Sequence, residues 1–107
     1  VVIEWLEFQV PAADRERYVQ LDDQIWTPAL QTYPGFISKE TWIDPQDLER
    51  IVFVIHWQSR EDWKAIPEPE LADIEQRFDA AFATPYQLVV SREFQIRRFP
   101  VGPMASR

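Results

Sequence analysis

The chain has 107 residues, 46% of them hydrophobic, 27% charged and 14% aromatic, a balance that predicts one globular domain with a single core. A formal net charge of −7 opposes a phosphate backbone, and no segment interleaves basic with aromatic residues, which argues against nucleic-acid binding. With no cysteine there are no disulfides, thiolate nucleophiles or thiolate metal sites; no stretch is long and apolar enough to span a bilayer and none opens the chain as a signal peptide, so a cytoplasmic protein away from the membrane is expected.

Residues Val2 to Val10 alternate imperfectly, with Val2, Leu6, Phe8 and Val10 on one side and Ile3, Trp5, Glu7 and Gln9 on the other. This is the pattern of a strand with one apolar face. After Pro11, Asp14 can cap a helix that turns Tyr18, Leu21, Ile25 and Trp26 inward and its acids outward. Thr27-Pro28 interrupts that helix, and a short second piece carries Leu30 and Tyr33. Pro34-Gly35 is a turn signal, Phe36 to Ile43 reads as a strand, and Asp44-Pro45-Gln46-Asp47 is a hairpin loop.

The next run, Ile51-Val52-Phe53-Val54-Ile55-His56-Trp57, is apolar on both faces of a strand, so both faces require a cover. Parity assigns Phe53 and Ile55 to the helices and Val52, Val54 and His56 to whatever lies opposite. Ser59 can cap a helix from Arg60, with Asp62 completing a capping box. Pro67 and Pro69 limit this piece before Leu71, Ile74, Phe78 and Phe82 form a helical stripe, which Thr84-Pro85 ends. Tyr86 to Phe99 is expected as a last, long strand. A single domain over residues 1–100 and a flexible tail over Val101 to Arg107 follow.

The order strand, helix, strand, strand, helix, strand predicts an α+β, ferredoxin-like βαββαβ domain with helices on one sheet face. The bare face is expected to pack against a second copy, giving a homodimeric barrel with a space between the sheets.

Within that space, the only histidine, His56, is a candidate base, since imidazole titrates near neutral pH. Trp5 with Glu7, and Trp42 with Glu40, would each set an acid beside an aromatic wall, with Glu7 as a second candidate base. Arg92, clustered with Arg97 and Arg98, could meet a ligand carboxylate. In competition, Glu4, Glu7 and Glu40 could simply pair with Lys39, Arg92 or Arg97 across strands. Trp26, Trp57 and Trp63 are expected at helix–sheet junctions. No metal is expected, because a lone His with scattered carboxylates lacks a usual ligand set. Gly35 and Gly102 are the only glycines, so no phosphate loop is possible.

Val2 to Val10, Pro34-Gly35-Phe36 and above all His56-Trp57-Gln58-Ser59-Arg60-Glu61-Asp62-Trp63 resemble the antibiotic biosynthesis monooxygenase superfamily of dimeric α+β barrels, over residues 2 to 99. The strings Val2-Ile3-Glu4-Trp5-Leu6, Ile25-Trp26-Thr27-Pro28-Ala29-Leu30, Tyr33-Pro34-Gly35-Phe36, Trp63-Lys64-Ala65-Ile66-Pro67 and Arg92-Glu93-Phe94-Gln95 look like a cyanobacterial group of that superfamily with no assigned reaction. The resemblance implies a homodimer with one cavity per subunit, used in relatives for cofactor-independent oxidation of aromatic polyketides or for haem degradation. The haem-degrading branch uses an Asn on the first strand, a Trp early in the second helix and a His further along; here the first strand lacks Asn and the other two positions fall near Ile66 and Gln76. Polyketide-oxidising members use an Asn with Trp and Tyr partners, and this chain has no Asn.

Three functions follow as expectations. One is a cofactor-independent oxidation of a planar aromatic small molecule with His56 or Glu7 moving the proton. Another is a non-catalytic binding module for a tetrapyrrole or other hydrophobic ligand. The third is a structural or stress-associated dimer filled by its own side chains.

Overall fold

A computed structural model describes residues 1–104, so Ala105, Ser106 and Arg107 of the expected tail lie outside the described residues. The elements are β1 (Val2–Gln9), α1 (Arg15–Gln24), α2 (Trp26–Leu30), β2 (Phe36–Ile43), β3 (Arg50–Trp57), α3 (Arg60–Lys64), α4 (Glu68–Phe82) and β4 (Gln87–Gln95). Four antiparallel strands lie in the order β2-β3-β1-β4, with the helices on one face: the ferredoxin-like α+β arrangement. No helix among the described residues is long and apolar enough to cross a membrane.

Local chemistry sets most of the boundaries. Ser59 caps α3 by accepting the Asp62 backbone N–H at 3.1 Å. Gly35 takes a positive φ of 86°, and a β-carbon there would strike the Asp62 side chain. Asp44 turns the β2–β3 hairpin by accepting the backbone N–H groups of Gln46 at 2.8 Å and Asp47 at 3.2 Å. The C-terminus of α4 ends on Ala83 in the left-handed region and is held by Arg17, whose Nη1 donates to the Phe82 carbonyl at 2.6 Å and Nη2 to Thr84 Oγ1 at 2.9 Å.

Three expectations are corrected. Asp14 makes no cap hydrogen bond; it ends a 3₁₀ turn over Ala12–Asp14 and pairs with Arg17 at 3.3 Å instead. The break between α1 and α2 falls at Ile25, leaving Pro28 in the first turn of α2, where its missing donor costs nothing. The last strand stops at Gln95, four residues short of Phe99, because β1 begins at Val2 and only the Val1 carbonyl remains to accept the Ile96 N–H, at 3.0 Å.

The main core lies between helices and sheet, while Ile3 and Val54 are buried on the other face of the sheet. Tyr18 sits among Phe78, Phe82 and Tyr86 with ring centroids 4.7, 5.1 and 5.2 Å away, and Ile51, Phe53 and Val10 close this cluster from the sheet. A second cluster joins Leu30, Ile55, Trp57 and Ile66. Each such side chain contributes roughly 1.5–3 kcal/mol by leaving water.

Candidate functional site

Between the two clusters the packing is incomplete. A cavity of about 940 Å³ opens there, within the range of small-molecule sites, roughly 300–1,000 Å³. Its floor is the helix-facing side of the sheet, with Leu6 and Phe8 from β1, Phe53 and Ile55 from β3 and Leu88 and Ser91 from β4. Its roof is Tyr18, Trp26, Leu30, Trp63 and Leu71 from the helices with Ile66 from the link between α3 and α4, and Ala83 to Tyr86 form one wall. Most of this lining is apolar or aromatic. The polar exceptions carry the chemistry.

Glu4 is one. Its parity with Leu6 and Phe8 places it on the helix-facing side, so that face is not wholly apolar as the alternation suggested. The indole Nε1 of buried Trp57 donates to Glu4 Oε1 at 3.1 Å. Burial pushes the carboxyl pKa up, while the Trp57 hydrogen bond and the charges of Lys64 and Lys39 partly pull it back. A carboxylate desolvated in this way binds a proton more tightly than one in water and is suited to accept one from a ligand.

Lys39 and Asp22 are the second exception. Lys39 Nζ donates to Asp22 Oδ2 at 2.6 Å and to Thr27 Oγ1 at 3.0 Å, with both charged side chains only 4% exposed. The ammonium also lies 4.6 Å from the Phe53 ring centroid. Burial pushes the Asp22 pKa up and the Lys39 charge and hydrogen bond oppose that rise. Asp22 was expected on the outer, acidic side of α1; it faces inward because it stands one turn after Tyr18 on the same helix stripe. At the rim the Tyr86 hydroxyl donates to Asp79. Burial pushes the pKa of Tyr18, and of Tyr86, well above the usual phenol range, so both remain neutral donors.

The residues expected from sequence to line a space between two sheets stand on the open face, where such a space would lie. Trp5 Nε1 donates to Glu7 Oε2 at 3.0 Å, and Glu7 Oε1 lies 3.5 Å from Arg50 Nη1 rather than on Lys39, Arg92 or Arg97. Trp5 meets Trp42 edge to face at 5.5 Å and Phe94 at 6.0 Å. Glu40 and Arg92 are exposed on the same face, while Arg97 and Arg98 lie past the end of β4. His56 shares this face, and its Nδ1 is buried without a hydrogen-bond partner. None of Trp5, Glu7, Glu40, Trp42, His56 or Arg92 lines the cavity. A haem seated in the cavity would therefore find no imidazole, since the single histidine is across the sheet. Trp26 and Trp63 do line it, and Trp57 is wholly buried beside it.

Residues 2–66 match the antibiotic biosynthesis monooxygenase family. The chain belongs to that family. Among solved structures, this antibiotic biosynthesis monooxygenase domain is similar to a monooxygenase from the gene ActVA-Orf6 of Streptomyces coelicolor in complex with the ligand nanaomycin D, at 17% identity and a TM-score of 0.72, covering 95% of this chain and 92% of that one. A putative antibiotic biosynthesis monooxygenase from Deinococcus radiodurans aligns over 98% of this chain and all of its own, at 16% identity and a TM-score of 0.69. SnoaB, a cofactor-independent oxygenase from Streptomyces nogalater, aligns over 92% and 94% of the two chains at 16% identity and a TM-score of 0.64. At such identities the likeness establishes the fold of this family member, and its chemistry rests on its own residues. No curated protein matches the chain.

Proposed function

We propose that this protein binds a planar hydroxy-aromatic molecule in the cavity between helices and sheet and oxidises it with molecular oxygen, without a bound cofactor. The observation that carries this reading is Glu4: a desolvated carboxyl on the wall of an aromatic-lined cavity, with one oxygen anchored by Trp57 and the other without a hydrogen-bond partner among the described residues. Glu4 accepts the ligand hydroxyl proton, and the electron-rich ring of the resulting anion bonds through a carbon to oxygen. The peroxide takes up a proton and loses water together with the hydrogen on that carbon. One oxygen atom stays as the second carbonyl of a quinone, the other leaves as water, and the substrate supplies all four electrons. The unfilled cavity supports ligand-binding readings over that of an interior packed solid. The cofactor-independent oxygenase among the structural relatives supports the absence of a cofactor.

Oxygen uptake with 1-naphthol and larger hydroxy-aromatics tests this directly, with labelled oxygen expected to appear once in the product. Glu4→Gln should lower kcat at least about a hundredfold, the usual contribution of a positioned base. Unchanged turnover in that variant, or no uptake by the native protein with any hydroxy-aromatic that binds, would sink the proposal.

The assembly is proposed as a homodimer through the open face, supported by Trp42 and Phe94 standing 45% and 46% exposed beside Trp5, Val52 and Val54. His56 and Glu7 would then act, if on a ligand at all, in a space between two copies. The strings around Trp26 and Gly35 support placement in the cyanobacterial group of the family.

A further inference from the structure

We infer that Lys39, held by Asp22 and Thr27, is a positioning residue that binds a ligand's carbonyl oxygen, so that the cavity selects aromatic molecules bearing a carbonyl, or the keto form of a phenol, on the edge opposite Glu4. This deepens the cavity reading and rests on it. The pair is poorly explained by stability alone, because a buried ion pair is commonly no better than the hydrophobic residues that could replace it. An ammonium has three donors. Two of them have acceptors, Asp22 Oδ2 at 2.6 Å and Thr27 Oγ1 at 3.0 Å, and Lys39 lines the cavity beside the Phe53 ring, its third donor without a hydrogen-bond acceptor among the described residues.

Register supplies the geometry. Glu4 pairs with Ile55 and Ile55 pairs with Lys39, so the three form one row across the sheet on the cavity side. Two strand spacings separate the backbone positions of acid and ammonium by about 10 Å. A flat ring system lying over Ile55 and Phe53 would meet Lys39 at one edge and Glu4 at the other.

Charge decides which ligand fits. Asp22 already neutralises Lys39, and Glu75 and Asp79 outweigh Lys64 in the rest of the lining, so a ready-made anion is disfavoured against a neutral carbonyl. As Glu4 removes a proton, negative charge develops on that carbonyl oxygen, and the third donor of Lys39 then binds it more strongly than in the ground state. The proton stays within the cavity and its total charge is constant.

9-Fluorenone and fluorene, which differ by the carbonyl and are not turned over by this route, test the assignment in the native full-length protein. Fluorenone should bind at least about tenfold more tightly, as a charge-assisted hydrogen bond does, and its infrared carbonyl stretch should move to lower wavenumber on binding. Both signatures should vanish in Lys39→Met, and in the double variant Asp22→Leu, Lys39→Met, which leaves no bare carboxylate if the single variant folds poorly. Equal affinities for the two probes, or a bound carbonyl stretch like that in an alkane, would overturn the assignment while leaving the oxygenase proposal standing. A shifted stretch in a protein that consumes no oxygen with any hydroxy-aromatic would uphold Lys39 and sink the oxygenase proposal. Binding of neither probe would overturn both the subsite and the cavity reading.

Discussion

The two faces of one sheet carry opposite arrangements of the same kinds of residue. On the helix-facing side, charged groups are sunk among apolar ones: Glu4 under Trp57, and Lys39 with Asp22 at 4% exposure. On the other side, large apolar groups stand uncovered, with Trp42 at 45% and Phe94 at 46% exposure around Trp5. Burying charge and exposing aromatic surface both raise the free energy of an isolated chain. On the proposed function the first marks where a ligand is handled and the second where a second copy packs, and mutations on the two faces should therefore fail in different assays.

The largest effect is expected on the covered face. Phe53→Ala removes a side chain that is 2% exposed and packed against Tyr18 and Phe8; it should cost about 3–5 kcal/mol in chemical denaturation. A loss below about 1 kcal/mol would mean that this face is not the core. Asp22→Ala leaves Lys39 buried without its counter-charge and should cost about 3 kcal/mol in chemical denaturation. An indifferent melt would show that the ammonium reaches water.

On the open face, Trp42→Glu should weaken self-association by about 2 kcal/mol or more, the effect of losing an aromatic anchor, while altering the melt of the separated chain little. Light scattering across micromolar concentrations reads this, and a native protein that is monomeric throughout would remove the dimer. Glu4→Gln probes the covered face more gently. Because burial raises the Glu4 pKa above its ordinary 4.5, the folded chain holds that proton more tightly than the unfolded one. Stability is then highest at or below the unfolded value and falls as pH rises through the folded one, by about 1.4 kcal/mol per unit between them. The Gln variant should lack this fall and melt higher than the native protein at pH 7; an identical pH profile would place Glu4 in water. His56→Ala should change least, leaving fluorenone affinity within about twofold, since His56 does not line the cavity and stands on the other face of the sheet. A larger loss would return His56 to the site.

Fold and site differ in how far the sequence exposes them, and particular residues show why. The alternation through Ile51 to Trp57 assigns Phe53 and Ile55 to the helices correctly, and Ser59 and Gly35 mark their boundaries, because these are properties of the chain within a few residues. The end of β4 is not such a property: it depends on where β1 stops offering hydrogen bonds. The site is less local still. Trp5 beside Glu7 gives a wall-and-acid pattern that sequence places on the open face, whereas the cavity on the covered face exists only because the helices above it leave a gap. Glu4 and Lys39 belong to strands apart in the chain, and Asp22 comes from a helix; only the register that aligns Glu4, Ile55 and Lys39 brings them together. The i to i+4 spacing of Tyr18 and Asp22 was the one available signal.

The irregularity where β4 meets β1 has a bearing on how such a cavity can be rebuilt. Glu7 pairs with Val90 but Phe8 pairs with Leu88, so Val89 is a residue of slack in the strand. Toward the chain's end, Ser91, Arg92 and Glu93 keep step with Leu6, Trp5 and Glu4; before it, Leu88 and the Ala83 to Tyr86 wall are free to follow another phase. Insertions or deletions in that wall can be absorbed at Val89 without moving Glu4 out of line with Lys39. Natural drift and deliberate engineering thus have a place to reshape the mouth of the pocket while Glu4 and Lys39 keep their alignment.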